Sequence, residues 1–275
     1  MTTSTGSGPA AAARGAGARG AADADQGRGG GFAGSVAAEW TKLWSLRSTW
    51  TCLATAVLLT AGPAALGATV LESGGQVANM TAHGMLPTVV MLSQFALVAV
   101  ASLIITGEYA TGAVRTTLTA VPVRGRVLAA KALVLVAAVF PVGLALGGVS
   151  IGISTVVFGD AMVFEAEHVA HAVLGTAGYL TAVSLFALGL GTALRSTAGT
   201  ITATVGVLIG VPMFSTMLNN ETILEIASYL PADAGLPLMM GSTDPYGWPA
   251  GAALLGAWAA AALAAGYAAL RLRDA

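Results

Sequence analysis

Charge is what this chain most lacks. Only 9% of its 275 residues are Asp, Glu, Lys or Arg, against roughly 25% in an ordinary soluble domain. Lysine occurs twice, at Lys42 and Lys131, and cysteine once, at Cys52. A lone cysteine excludes an intramolecular disulfide framework and a cysteine-cluster metal site. No G-x-x-x-x-G-K-[ST] stretch is present, so the chain has no phosphate-cradling loop of its own and is not expected to hydrolyse ATP. The net charge of −1 points to no polyanionic partner such as nucleic acid. Residues 1–34 also lack apolar surface. They are Ala, Gly, Ser and Arg with one aromatic, Phe32, and burial there is too small to offset ordering entropy, so a disordered extension is expected. A secretory signal would need an apolar stretch of roughly 7–15 residues. The Ala runs are broken by Arg14, Arg19, Asp23 and Asp25, so the chain is not expected to be processed and released.

What is there in abundance is apolar sequence, 56% of the chain. It falls into charge-free runs of about 20 residues, the length that crosses a hydrocarbon core as a helix. Six spans are expected, at Trp50–Leu71, Met85–Thr106, Ala132–Phe158, Val169–Leu194, Thr200–Leu218 and Trp248–Leu270. The third and fourth are long enough to tilt or to extend past the hydrocarbon. Pro63, Pro141 and Pro212 fall inside spans, where kinks are expected. The pairs Gly143/Gly147, Gly148/Gly152 and Gly206/Gly210 would permit close helix contact.

The loops carry opposite signs. With six spans and both ends on one side, that side receives every Lys and Arg: Arg14, Arg19, Arg28, Lys42, Arg47, Arg115, Arg124, Arg126, Lys131, Arg195, Arg271 and Arg273. The other side receives Glu72, Asp160, Glu165, Glu167, Glu221, Glu225, Asp233 and Asp244 and no basic residue. By the positive-inside rule both termini are expected in the cytoplasm. One span more or fewer would scramble the sorting.

Two segments have helical periodicity outside the spans. In Ser35–Arg47, Val36, Trp40, Leu43 and Trp44 recur at helical spacing, with Glu39 and Lys42 on the other face. This reads as an amphipathic helix lying in the membrane interface. The plainer alternative is an extension of the first span into water. In Gly107–Lys131, Val114, Leu118 and Val121 recur at i, i+4 and i+7 before Pro122 stops the helix. A short amphipathic helix parallel to the membrane is expected, its apolar partner being either lipid or a groove on a cytoplasmic protein. Arg124, Arg126 and Lys131 are accounted for equally well by topology alone.

Catalytic and coupling-ion chemistry is thin. The spans hold no Asp, Glu, Lys or Arg expected near the midplane, and Gln94 is the most polar side chain there. Ion-coupled carriers keep such a group inside, so its absence argues against a secondary transporter. In FEAEHVAH, His168 and His171 would share a helix face and could ligate one metal beside Glu165 and Glu167. The preferred reading is a solvated entrance to the fourth span, with Glu167 at the helix N-terminus. All three histidines, including His83, fall near the outer surface, so an intramembrane hydrolase is not expected.

The segments EWTKLWSLRSTW, GEYATGAVRTTLTAVPVRGRVLAAKALVL, LGLGTALRSTAGTITATVGVLIGVP, YLPADAG and the tail WAAAALAAGYAALRLRDA together resemble the membrane subunits of bacterial type-2 ABC exporters. The likeness runs from about Ser35 to the end, and its most specific block holds Glu108, Gly112, Arg115, Leu118, Pro122, Arg124 and Lys131. The resemblance implies an all-α polytopic membrane protein: six transmembrane helices, an N-terminal amphipathic interface helix and a cytoplasmic coupling helix between spans 2 and 3. Residues 35–275 would form the permease domain behind the 1–34 extension, which departs from the family pattern. An ABC ATPase subunit would be the partner and would carry the ATP and magnesium. No cofactor would be bound by this chain, and a second permease subunit, identical or related, would face it across the pathway in the bacterial plasma membrane. The resemblance places ATPase contacts at Glu108, Thr111, Gly112, Arg115, Leu118, Pro122 and Arg124, with Glu39, Trp40, Lys42 and Trp44 on the interface helix. Gly112 would allow close backbone approach. Asn219–Gly247, with Ile223, Ile226 and Leu230, would cap the exit. Efflux of an amphipathic or lipophilic cargo such as an antibiotic is the family-weighted expectation. The Ala, Gly and Arg bias suggests a GC-rich host such as an actinobacterium. The competing classes are a non-transporting sensor or scaffold, an ATP-independent channel or carrier, and an intramembrane enzyme.

Overall fold

A computed structural model describes residues 31–74, 86–120, 123–159, 166–242 and 245–272. All regular structure among the described residues is helical. Six helices are long and apolar enough to cross a membrane, which is the architecture of a multi-pass membrane protein. They are span 1 (Arg47–Ser73), span 2 (Leu86–Thr111), span 3 (Arg124–Phe158), span 4 (Ala166–Leu194), span 5 (Thr197–Leu218) and span 6 (Trp248–Leu272). Each expected span lies within one of these helices except for the single residue Met85, which is outside the described residues. Four shorter helices occur among the described residues: an N-terminal helix (Gly31–Ser45), a bridging helix (Ala113–Ala120), and Glu221–Ala227 and Pro231–Met240. The N-terminal helix starts four residues before the expected boundary at Ser35.

Span 4 is the axis of the bundle. Spans 2, 3 and 6 and the helix Pro231–Met240 all pack on it, and small residues set how closely they come. A Cβ added at Gly189 would sit 2.3 Å from the backbone carbon of Ala262 on span 6, and one at Gly143 would sit 2.6 Å from the Cα of Ala177. Such contact needs bare backbone, as in other close-packed membrane helices. Gly147 makes a similar approach to Val173, whereas Gly148, Gly152, Gly206 and Gly210 meet nothing within 4 Å. One of the three expected glycine pairs therefore mediates packing inside this chain. Spans 1 and 5 lie at the periphery, where Leu58, Leu66, Met213, Phe214 and Met217 are exposed. An apolar outer face of this kind is what a bilayer solvates.

The three intraspan prolines differ in effect. Spans 1 and 3 run as single α-helices through Pro63 and Pro141. In span 5 the turn Gly206–Gly210 is π-helical and Pro212 follows at once. Proline lacks the N–H that would bond the carbonyl of Leu208, and its ring crowds that carbonyl, so a wider local winding relieves both.

The largest departure from expectation concerns the basic segment Gly107–Lys131. Most of it belongs to two spans: span 2 continues through Thr111 and span 3 already begins at Arg124. What separates them is the bridging helix and a few residues around it. Gly112 breaks the helix with φ +72°, a backbone that only glycine adopts freely. A Cβ there would meet nothing within 4 Å inside this chain, so within the bundle the left-handed backbone is what calls for glycine.

Candidate functional site

The end of the bundle that holds the basic residues is built around four side chains from three elements. Glu39 and Lys42 stand one turn apart on the N-terminal helix, Glu108 is on the last turn of span 2, and Lys131 is two turns into span 3. Lys131 Nζ donates to Glu39 Oε2 at 2.7 Å, to Glu108 Oε1 at 2.8 Å and to the Ile104 carbonyl at 3.3 Å. Lys42 Nζ donates to Glu39 Oε1 and to Glu108 Oε1, each at 2.9 Å. Each ammonium thus touches both carboxylates, and the four formal charges cancel.

Burial decides what this arrangement is worth. Lys131 is 0% exposed and Glu39 6%. A lone ammonium would be very costly there, and Lys131 is accommodated because all three of its N–H groups have acceptors, two of them anionic. Lys42 is the solvent-facing member, its side chain 46% exposed. Partial burial pulls its pKa down, but hydrogen bonds to Glu39 and Glu108 and their negative charge outweigh that and raise it above the ordinary 10.5. A half-exposed pair contributes little by itself. The value of the cluster therefore rests on Lys131.

This reverses one expectation. The periodicity of Ser35–Arg47 places Glu39 on the polar face, away from the membrane side, yet Glu39 and Leu43 are the buried residues of that helix and Trp40 is exposed. Hydrophobic periodicity registers apolar groups and cannot register an anion whose partner lies 92 positions away. Trp40 and Trp44 meet edge-on at 5.6 Å, and Trp50 stacks at a tilt on Trp44 at 5.1 Å while donating to its carbonyl. That aromatic corner fixes the turn into span 1.

The other anticipated residues divide. Thr111 closes span 2 by donating to the Gly107 carbonyl. Arg115 and Leu118 fall on the bridging helix, whose Val114 is buried, and Pro122 lies outside the described residues. Arg124 belongs to span 3 and donates to the Leu270 carbonyl near the C-terminal end of span 6, where Arg195 approaches the Ala269 carbonyl at 3.5 Å. The last carbonyls of a helix have no partner within it and carry partial negative charge, so guanidinium groups are suited to them. Arg195 also covers the Tyr109 ring at 5.1 Å.

Lys131 is the residue that sequence reasoning undervalued. A signal existed: the chain has two lysines, both in this cluster, and ten arginines elsewhere. The three rotatable donors of the Lys131 ammonium reach both carboxylates and the Ile104 carbonyl. Among the described residues, Glu39 and Glu108 are also the only acidic side chains at this end.

Beside the cluster lies a cavity of about 400 Å³. Its walls are the N-terminal helix, the start of span 1, the end of span 2, the bridging helix and Val134 of span 3. Glu39, Lys42 and Glu108 form its polar end, and Leu43, Leu46, Leu103, Ile104 and Val134 much of the rest.

At the opposite end, Asn220 caps Glu221–Ala227 by accepting from the Ile223 N–H at 3.3 Å. Trp258 donates to the Tyr229 carbonyl at 2.9 Å and Tyr246 to that of Ser228. His171 packs against Trp248 with ring centroids 5.4 Å apart. Glu165 lies outside the described residues, and no group of three potential metal ligands occurs among those described. Asp233 lines a small cavity with Tyr179 and Met239, and burial raises its carboxyl pKa above the ordinary 3.8.

No family model matches the chain, and no curated protein or solved structure is significantly similar to it.

Proposed function

We propose that the chain is the membrane-spanning permease subunit of an ATP-driven exporter of the type-2 ABC class. On this reading it sits in a bacterial plasma membrane with both termini in the cytoplasm and pairs with a second permease. A separate ATPase subunit would carry ATP and magnesium and would engage the bridging helix and the N-terminal helix. Its cargo would be amphipathic or lipophilic.

The observation that best supports this reading is the buried charge cluster. It clamps the N-terminal helix to spans 2 and 3, the two spans that flank the bridging helix. A displacement applied to either short helix would pass to both spans together, as a rigid-body motion capable of changing access between them. The basic residues among those described gather at the same end, the end the positive-inside rule assigns to the cytoplasm.

The test is co-purification with the ATPase encoded beside this chain, followed by ATP turnover and transport in vesicles. A stable complex is expected, and Arg115→Glu is expected to weaken assembly and coupled transport without lowering the thermal midpoint. Assembly and transport unaffected by Arg115→Glu would overturn the assignment of the bridging helix. Assembly without vectorial transport would favour a sensor or scaffold, and flux by the purified chain alone would favour an ATP-independent channel.

A further inference from the structure

The helix Pro231–Met240 is seated unevenly in the acidic end of the bundle. Towards spans 4 and 6 it lies against bare backbone and an aromatic ring. A Cβ added at Gly175 of span 4 would sit 2.3 Å from the Leu238 carbonyl oxygen, and one at Gly251 of span 6 would sit 2.6 Å from that of Ala234. One at Gly235 would sit 2.3 Å from the Tyr179 ring. Close packing of this kind leaves that side no room to shift. Towards spans 2 and 5 the same helix faces a cavity of about 90 Å³, lined by Asp233 and Met239, by Met91 of span 2 and by Leu208 and Pro212 of span 5. Asp233 is the one charged residue on that wall. Burial raises its pKa above the ordinary 3.8, and no hydrogen bond or cation among the described residues offsets the burial. The titratable groups close enough to feel its charge are Tyr179 of span 4 and Tyr246 ahead of span 6. The Tyr179 hydroxyl already donates to Gln94 Oε1 at 2.6 Å. Spans 2, 5 and 6 hold no Asp, Glu, Lys, Arg or His at this end, and Glu221 and Glu225 of the neighbouring short helix are exposed. His171 of span 4 lies at the far end of the helix, against Gly241.

An ionised carboxylate without donors needs water. The cavity admits about three molecules at roughly 30 Å³ each, so fuller hydration requires one wall to move. Span 5 is the wall that can. Its π-helical turn Gly206–Gly210 leads straight into Pro212, a combination that bends helices. Beyond that turn Val211, Met213, Phe214, Met217 and Leu218 are exposed, and Ser215 alone is buried. We infer that Asp233 is a pH-sensitive wedge between Pro231–Met240 and the segment Val211–Leu218 of span 5. Protonated, its carboxyl is neutral and the seam stays closed and dry. Ionised, it draws in water, and Val211–Leu218 pivots away at the π-helical turn to admit it. The face packed on spans 4 and 6 stays in place, so the seam responds and the rest of the acidic end does not. In the open seam the hydrated carboxyl returns towards its ordinary pKa of 3.8. Opening is therefore least favoured below that pH, grows by about tenfold for each pH unit up to the raised value, and is constant beyond it. This inference does not depend on the chain being a transporter.

The test is amide hydrogen exchange, read by mass spectrometry, of the full chain in lipid nanodiscs at a series of pH values from 3.8 to neutrality. Dividing the wild-type rate by that of Asp233→Asn at each pH cancels the intrinsic pH dependence of exchange. For peptides covering Val211–Leu218 this ratio is expected to rise by about tenfold per pH unit and then level off. For peptides of span 4 around Gly175 and Tyr179 it is expected to stay constant. If Asp233→Asn does not fold, wild-type exchange of Val211–Leu218 relative to the span 4 peptides at the same pH carries the same test. A ratio for Val211–Leu218 that does not change with pH would overturn the inference. So would an equal rise in span 4, which would mean that the whole end loosens, or a rise confined to Pro231–Met240, which would mean that the helix moves and span 5 does not.

Discussion

The two ends of this bundle are held by different physics. At the basic end, three elements meet on a buried alternating cluster of two ammonium and two carboxylate groups, and the end of span 6 is closed by Arg124 and Arg195. Among the described residues, the acidic end has no lysine or arginine. There the chain relies on close backbone packing and on aromatic side chains that donate to carbonyls, as Trp258 and Tyr246 do. Charge pairing is specific about partners but costly to break. Neutral hydrogen bonds are more forgiving, because each contributes only about 0.5–1.5 kcal/mol. The lesson is that charge pairing fixes the helices at the basic end, whereas neutral hydrogen bonds such as those of Trp258 and Tyr246 serve at the acidic end.

The comparison is broken most severely by Lys131→Met. Removing one ammonium leaves two buried carboxylates sharing a half-exposed lysine, and a loss of about 3–5 kcal/mol is expected from the penalty for an uncompensated buried charge. Thermal unfolding in detergent would measure it. Replacing all four members with apolar residues of similar volume is expected to restore most of that stability, since it removes the desolvation cost together with the pairing. Recovery would show that the cluster specifies the position of the N-terminal helix more than it stabilises the bundle.

Gly189→Leu comes next. Its new Cβ would meet the span 6 backbone at 2.3 Å, and overpacking of about 1–3 kcal/mol or more is expected where backbone must move. This loss should be insensitive to salt and pH, unlike that of Lys131→Met. Trp258→Phe at the acidic end removes one donor to the Tyr229 carbonyl and should cost about 1 kcal/mol.

Titration separates the ends in the smallest effects. The pKa of Lys42 is raised by its two carboxylate partners, so its contribution is complete below pH 10.5 and is lost as pH rises through the higher folded value. Lys42→Ala should cost below about 1 kcal/mol at neutral pH because the pair is half exposed, and the difference from wild type should vanish at strongly alkaline pH. Burial raises the pKa of Asp233, so its favourable contribution is present below pH 3.8 and is lost as pH rises through the folded value. Asp233→Asn should therefore match or slightly exceed wild type in thermal midpoint at neutral pH. A clear loss would mean that the ionised carboxylate has a stabilising partner.

The spans were legible because a bilayer imposes a simple rule on each segment separately. A run such as Ala132–Phe158 declares itself by length and freedom from charge, with no knowledge of its neighbours. The ends were less legible. Reading Gly107–Lys131 as a loop followed from its arginines, whereas helices routinely continue past the apolar region and carry their first polar turns outside it. Glu39 was assigned to the wrong face because its burial depends on Lys131. Lys131 itself resembled a topology signal because a buried cation and an interfacial one look alike until the anion beside it is known.

The sequence by itself determined the number of helices long and apolar enough to cross a membrane and the alternation of basic and acidic segments between them, because both are sums over local composition. Only the tertiary structure decided that Glu39, Lys42, Glu108 and Lys131 form one cluster, that Gly112 serves as a left-handed break, and that a cavity opens beside the cluster. These depend on residues as much as 92 positions apart in the chain. Their energies arise from desolvation and distance, and neither exists until the helices are packed.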